Sequence, residues 1–233
     1  MSLPEQKMFD PQNILIGPDI TRLGLPIQLG ILTGTVRVEP RVETVWQLLV
    51  QTGSRISHGQ TVDSIKEFPI IADFRELYKR IGKDPSRYRP SSEMLIRRVV
   101  RGHGLYNVNS AVDIMNIVSI SSHLPLGLYD LDQIQGSVTF RIGRLGESFK
   151  GIRKETVNVE ELPVLSDQMS PFGNPTSDSE RTMIRPETQR IMLVLFSCSG
   201  NPGQLLEKTA KQAQDLYEAH SHGQDFSFAL VHS

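Results

Sequence analysis

The 233-residue sequence has one cysteine, Cys198, and one tryptophan, and its formal net charge is only −1. A single cysteine excludes an internal disulfide and is compatible with a reducing compartment. No apolar run approaches the ~18 residues that a membrane span needs, and the N-terminus lacks the basic and apolar segments of a signal peptide. We therefore expect a cytoplasmic protein with no membrane partner.

Several catalytic and metal-binding motifs are also missing. The sequence contains no Walker loop, HExxH, paired CxxC or GxSxG nucleophile elbow, and the lack of GxSxG closes that route to a serine hydrolase. His220 and His222 have a spacing found among metal ligands, but a site needs three or four convergent ligands. We expect no metal and no cofactor. Cys198 follows an apolar segment, which predicts a buried and inert thiol.

The charge is unevenly distributed along the chain. The segment Arg75–Arg101 holds nine basic residues against three acidic ones. Such a segment forms either a face for phosphate backbones or an ordinary solvated helical surface, and both interpretations stay open. On the first of them, the predicted RNA-binding residues are Arg87, Arg89, Arg97, Arg98 and Arg101.

Hydrophobic periodicity predicts a mixed α+β fold, because helices and strands do not alternate strictly. We expect one domain over residues 1–233, with no clear linker. The predicted strands lie at 30–40, 137–143, 191–196 and 226–231, with two short strands within 154–167. The predicted helices lie at 41–51 with a stop at Gly53, at 69–82, from an N-cap at Ser91, at 108–125 and after Pro202.

Two polar segments are candidates for a site. The first is PFGNPTSDSERT (Pro171–Thr182), which places short polar side chains between two apolar segments. In it, Asp178 could pair with a ligand's ammonium group and Arg181 with a carboxylate or phosphate, or the two could pair with each other or cap a turn. The second is Asn107–Asn116, where an asparagine caps a helix and Asp113 joins a network that holds a loop or a ligand.

Two motifs carry a resemblance to a known family. VNSAVDIMN (Val108–Asn116) and LPLGLYDLDQIQG (Leu124–Gly136) resemble the INNVVDITN and QPLHAFDLDKIxG runs of the B3/B4 domain, the editing domain of the bacterial phenylalanyl-tRNA synthetase beta subunit. The resemblance covers residues 97–182 and implies that domain's layered-sheet α+β fold with flanking helices. Residues 1–96 would be an N-terminal extension packed on it. The rest of the synthetase is absent, so the chain resembles a free-standing member.

The sequence departs from the family pattern inside the motifs. Gly127 stands where the family has His, and Tyr129 stands where it has Phe. The family's GIMGGxxS loop, with its editing glutamate, corresponds to FGNPTSDSERT, and Thr176 is the residue nearest to that glutamate. The resemblance thus implies a surviving pocket for a different amino acid. Gly127 would enlarge this pocket or let a ligand approach the backbone.

The resemblance implies a trans-acting hydrolase of misacylated aminoacyl-tRNA. An alternative is a non-catalytic binding module for an amino acid, a related small ligand or RNA. The expected partners are aminoacylated tRNA and an amino-acid-like ligand. The candidate catalytic residues are Ser177, Asp178 and Thr182. The candidate ligand-binding residues are Asn107, Asn109, Gly127, Tyr129, Thr176, Ser177, Asp178 and Arg181.

Overall fold

The computed structural model describes residues 14–153 and 155–232. Residues 1–13 of the predicted N-terminal extension, and Lys154 of the segment 154–167, lie outside the described residues. The α-helices are α1 (Pro18–Thr21), α2 (Glu43–Ser57), α3 (Pro69–Arg80), α4 (Ser91–Val100), α5 (Ser110–Ser122) and α6 (Gly203–His220). The strands are β1 (Ile14–Ile16), β2 (Gln28–Thr35), β3 (Leu126–Asp130), β4 (Val138–Ile142), β5 (Ser148–Lys150), β6 (Thr156–Asn158), β7 (Pro163–Ser166), β8 (Pro171–Gly173), β9 (Arg190–Ser197) and β10 (Gln224–His232).

The strands form two four-stranded sheets and a hairpin. The central sheet has the order β10-β2-β9-β3, and every neighbouring pair in it is antiparallel. The outer sheet has the order β1-β4-β7-β8, with one parallel pair, β1 and β4. One face of the central sheet packs on the outer sheet, and the other packs on α2, α5 and α6. The predicted mixed α+β fold is confirmed, and its three layers are the helices, the central sheet and the outer sheet.

Strand β9 shows why one stretch of sequence is apolar throughout. Every residue of the segment 191–196 is buried. Ile191, Leu193 and Leu195 belong to the core beneath the helices, whereas the alternate residues belong to the core between the two sheets. Because neighbouring side chains of a strand point to opposite faces, a central strand between two cores needs apolar residues at each position. The predicted doubly covered strand is confirmed.

Two predicted helix boundaries are wrong. Gly53 does not end α2 but lies buried inside it, where an added Cβ would meet Val99 Cγ1 of α4 at 3.2 Å. Its lack of a side chain thus allows the two helices to approach closely. Ser91 is the first residue of α4 and does not cap it. Its N–H donates to the Pro175 carbonyl (2.7 Å) and its hydroxyl to the Leu126 carbonyl (3.4 Å).

A partly buried ion pair lies at the end of β4. Arg141 of β4 donates two hydrogen bonds to the Glu147 carboxylate, at 2.7 and 2.8 Å. Glu147 also accepts from the Arg144 N–H at 2.7 Å, so the carboxylate fixes the turn between β4 and β5. These hydrogen bonds, led by those from Arg141, lower the pKa of Glu147. Arg141 and Glu147 therefore support the fold here.

Within the described residues, none of the helices has both the length and the apolar character needed to traverse a bilayer.

We expect Glu147→Gln to lower the free energy of unfolding at pH 7 by about 1–3 kcal/mol, the usual value of hydrogen bonds to a charged group. A carboxyl whose pKa is lowered by folding stabilises the protein above its ordinary pKa, here 4.5, and this stabilisation disappears as the pH falls through the lowered value. Urea unfolding of both proteins between pH 7 and pH 3 should show the difference shrinking. Glu76→Gln, in an exposed pair, is the control. A difference that does not change with pH would contradict this role.

Candidate functional site

The candidate ligand site is a cleft of about 620 Å³ at the N-terminal end of α5. Strand β3, the tip of the β5–β6 hairpin and the segment 178–186 supply other parts of its wall. A concave site with apolar walls and a few polar groups is typical of small-ligand binding. The apolar lining residues include Val38, Val112, Met115, Leu128, Ile152, Met183 and Ile184. The polar lining residues are Asn109, Arg153, Asp178 and Glu180.

The motif residues at the start of α5 anchor the rim of this cleft. Asn109 is the N-cap of α5, and its side-chain oxygen accepts from the Val112 N–H at 2.9 Å. Asp113 is buried and accepts from the Val108 N–H (2.9 Å) and from Asn107 Nδ2 (2.6 Å). Burial raises the pKa of Asp113 in spite of these hydrogen bonds. Asn109 thus lines the cleft, whereas Asn107 holds the preceding loop and is not part of the lining.

Asp178 reaches the cleft from the polar loop and is bonded to a buried tyrosine. The Tyr129 hydroxyl donates to Asp178 Oδ1 at 2.7 Å. The Tyr129 ring is fully buried and meets Phe172 edge to face, with ring centroids 5.0 Å apart. Burial and the neighbouring Asp178 carboxylate raise the pKa of Tyr129 well above its ordinary value, so the phenol stays a donor. Tyr129 therefore lies behind the wall of the cleft and does not line it. Its hydroxyl holds the Asp178 carboxylate, which does line the cleft.

Gly127 neither enlarges the cleft nor exposes backbone to a ligand, which corrects the expectation from sequence. A Cβ on Gly127 would lie 2.1 Å from the Tyr129 hydroxyl oxygen, and one on Gly173 would lie 2.2 Å from the same atom. The two glycines form the slot that holds the Tyr129 phenol. The Tyr129 hydroxyl thus occupies the space that a side chain at position 127 would need.

The remaining residues of the polar loop hold its turn. The side-chain oxygen of Asn174 accepts from the N–H groups of Thr176 and Ser177, both at 2.8 Å. The Thr176 hydroxyl lies 2.6 Å from the Tyr78 hydroxyl. Ser177 is half-buried in this turn, directly before Asp178. Thr182 is completely buried, so the expectation that it could act on a substrate is wrong.

Arg181 does not pair with Asp178 and instead bonds to a buried carboxylate and to carbonyl groups of neighbouring turns. Its guanidinium pairs with the buried Asp167 carboxylate, at 2.9 and 3.0 Å, and also donates to the Gln133 carbonyl at 2.7 Å. These partners lie away from the cleft, and Arg181 is not among the cleft-lining residues. The Arg181–Asp167 pair fastens the polar loop to the end of β7. A ligand carboxylate or phosphate would have to displace Asp167.

Sequence reasoning missed several residues of the cleft. Glu180 lines it and forms an exposed ion pair with Lys150 of β5 at 3.0 Å. Ile152 and Arg153 reach it from the hairpin tip, where the Ile152 N–H donates to the Asp178 carbonyl at 3.3 Å. No motif marks the hairpin residues, because only the folded chain brings this tip over the polar loop. Among the described residues, no group of three or more His, Cys, Asp or Glu side chains is arranged to hold a metal ion.

The predicted RNA-binding arginines have different surroundings. Arg87 and Arg101 are exposed. Arg98 lies over the Tyr106 ring, 3.8 Å from its centroid. Arg89 and Arg97 instead approach the carboxylate of Glu93, which is fully buried in α4. The arginines of α4 are therefore divided, because Arg97 is directed towards an internal carboxylate and Arg98 towards the Tyr106 ring. RNA binding by these residues stays a prediction.

The fold and the cleft define a layered α+β domain with a largely apolar cleft beside the central sheet. The chain belongs to the B3/4 domain family, whose model matches residues 73–218. It is 35% identical over 77 residues to the phenylalanine–tRNA ligase beta subunit of Ralstonia nicotianae, covering 33% of this chain and 9% of that protein. It is 32% identical over 116 residues to the beta subunit of Bifidobacterium longum, covering 48% and 13%.

The chain thus spans only about a tenth of the length of these curated relatives. The fold also resembles the crystal structure of an N-terminal fragment of the phenylalanyl-tRNA synthetase beta subunit from Pyrococcus horikoshii. That similarity has a TM-score of 0.47 and 11% sequence identity, and it covers 94% of this chain and 50% of that one. The resemblance found in the motifs is confirmed, and the chain is related to a tRNA-synthetase subunit.

Proposed function

We propose that this protein hydrolyses the ester bond of misacylated aminoacyl-tRNA, as a trans-acting deacylase in the cytoplasm. The observation that supports this most is the position of Asp178 on an otherwise largely apolar cleft built by the family motifs. Its carboxylate would bind the α-ammonium group of the aminoacyl ester.

The walls indicate the class of amino acid. Val112, Met115 and Leu128 face the same cleft as Asp178. An apolar side chain would bury its surface there at about 25 cal/mol per Å². A polar side chain would lose its hydrogen bonds to water without replacement. The preferred substrate is therefore an ester of an apolar amino acid, held by its ammonium group and side chain.

Hydrolysis in such a site depends on positioning. Fixing the ester beside one water molecule removes much of the entropic cost of the reaction. An apolar surrounding strengthens the ion pair between Asp178 and the ammonium group, because the local dielectric constant is lower than that of water. The neighbouring hydroxyl of the terminal tRNA ribose would help to orient the attacking water. Such proofreading is useful where one binding pocket cannot discriminate enough between similar amino acids.

The second candidate is a binding module for a free amino acid, without catalysis. A specific observation favours it: Thr182 is buried and Arg181 is occupied by Asp167, so two polar groups of the loop are withheld from a substrate. The two functions share the cleft and Asp178. They differ in whether the ester is turned over.

The test is a deacylation assay on a panel of correctly charged and mischarged tRNAs, at substoichiometric protein. We expect turnover of one or a few mischarged species carrying an apolar amino acid, and little loss of correctly charged tRNA. Calorimetry with the free amino acids runs beside it. Binding of an amino acid, with every tRNA left charged at high protein concentration, would reject the deacylase and leave the binding module. Lack of both would reject the cleft as the site.

A further inference from the structure

Three arginines surround a single carboxylate on the face formed by α3, α4 and the loop between them. Glu93 of α4 has a fully buried side chain. Arg75 Nη1 donates to both of its oxygens, at 3.0 and 3.2 Å. Arg97 Nη1 lies 3.5 Å and Arg89 Nε 3.6 Å from Glu93 Oε1. We call Arg75, Arg89, Arg97 and Glu93 the arginine cluster.

The positive charge of the cluster is not balanced. In the part of the chain that the structure describes, Glu93 is the carboxylate with which all three guanidiniums pair, and none of them has another ion-pair partner. Within ion-pair distance, one negative charge therefore faces three positive ones. Asp84, in the loop that precedes α4, accepts from the N–H and hydroxyl of Ser86. Its carboxylate is held at that turn and attracts Arg75 only from beyond ion-pair distance.

The three cations are also largely withdrawn from water. Their side chains are 21% (Arg75), 32% (Arg89) and 19% (Arg97) exposed. Burial and the charge of Arg89 lower the pKa of Arg97. Repulsion between half-buried cations is screened less by salt than at an open surface, so an anion that joins them gains more free energy.

The hydrogen-bonding capacity of the cluster is only partly used. Arg75 Nη1 also donates to the Pro85 carbonyl (3.1 Å), and Arg97 Nη1 to the Val62 carbonyl (3.2 Å). Arg89 Nε is enclosed and has no hydrogen-bond acceptor among the described residues, because 3.6 Å from Glu93 is beyond hydrogen-bonding distance. Guanidinium groups present several N–H donors in a plane that matches the oxygens of a phosphate.

From this geometry we propose that Arg75, Arg89 and Arg97 form a binding site for a phosphate group, with Glu93 as the internal carboxylate that holds the arginines in place. The site is separate from the cleft and does not depend on the deacylase activity. The phosphate belongs either to an RNA backbone or to a small phosphorylated molecule. Both sources offer the same oxyanion to the guanidiniums.

The first experiment is calorimetric titration with inorganic phosphate at constant ionic strength. We expect saturable binding to the wild-type protein and at least tenfold weaker binding to Arg89→Gln, which removes one cation and leaves the Arg75–Glu93 hydrogen bonds intact. Arg80→Gln is the matched control, since Arg80 is an exposed arginine of α3 paired with Glu76. The affinity of this variant for phosphate should stay within twofold of the wild-type value. Arg89→Lys keeps the charge without the planar group and should be intermediate. Circular dichroism confirms folding of each variant.

Absence of saturable phosphate binding, or equal binding by wild type and Arg89→Gln, would overturn the proposal. The source is distinguished by measuring tRNA affinity against salt concentration. If the phosphate is in RNA, Arg89→Gln should reduce the slope of log affinity on log salt by about 1, and Arg80→Gln should reduce it less. If tRNA affinity is unchanged while inorganic phosphate binding is lost, the site serves a small phosphorylated ligand.

Discussion

Asp178→Asn is expected to lower kcat/KM for the mischarged substrate by about 100-fold, equivalent to about 3 kcal/mol of transition-state stabilisation. The variant keeps an oxygen that accepts from the Tyr129 hydroxyl and has nearly the same shape, so the fold should be preserved. What it loses is the negative charge opposite the substrate's ammonium group. Loss of one member of a desolvated charge pair commonly costs 2–5 kcal/mol.

Glu180→Gln is the matched control for this result. Glu180 lines the same cleft, but its carboxylate is partly exposed and pairs with the exposed Lys150. An exposed ion pair contributes little, so activity should fall by less than about threefold. Deacylation rates from single-turnover assays, at saturating and subsaturating protein over a fixed trace of charged tRNA, separate binding from chemistry. Equal rates for wild type and Asp178→Asn, with Glu180→Gln as the slower protein, would place the ammonium group at Glu180 instead.

The layers of the fold follow from local sequence patterns to a large extent. The all-apolar segment at 191–196 predicts a doubly covered strand, and the neighbouring helices are amphipathic enough to be found from their spacing. The prediction that Gly53 ends the helix is wrong because a glycine in a helical pattern has two structural explanations, a helix end and a close approach between helices. Only the position of Val99 on the neighbouring helix decides between them.

The site was harder to predict than the fold, for a physical reason. Asn109 and Asp178 were found because each lies in a recognisable motif. The roles of Arg181 and Glu93 depend on partners far along the chain or on burial that a single helix does not reveal. From the sequence alone, the segment Arg75–Arg101 is either a face for phosphate backbones or a solvated surface, whereas in the structure one buried carboxylate pairs with three of its arginines.

Gly127 and Tyr129 illustrate a compensation that sequence alone presents as two separate departures. Read singly, the loss of His enlarges a pocket and the gain of a hydroxyl adds a donor. In the structure, the hydroxyl occupies the slot over Gly127 and Gly173 and donates to Asp178. Positions 127 and 129 are thus physically coupled in this chain, and the Tyr129 hydroxyl orients the carboxylate that lines the cleft.

The close contact between position 127 and the Tyr129 phenol predicts that Gly127→Ala destabilises the protein by about 3 kcal/mol, at the upper end of the usual cost of overpacking. The new Cβ would lie 2.1 Å from the Tyr129 hydroxyl oxygen and within 3 Å of two ring carbons. Tyr129 is fully buried and packed against Phe172, so its ring has little room to move. Gly200→Ala is the control, because an added Cβ there meets no atom within 4 Å.

A double-mutant cycle makes the prediction specific. Tyr129→Leu removes the hydroxyl and the ring atoms that the new Cβ would meet, at its own cost in packing. In that background, Gly127→Ala should cost less than about 1 kcal/mol, giving a coupling energy of about 2 kcal/mol between the two positions. Free energies of unfolding in urea for the four proteins supply the measurement. If Gly127→Ala costs the same in both backgrounds, then the phenol does not fill the space over Gly127, and the orientation of Asp178 by Tyr129 loses its structural basis.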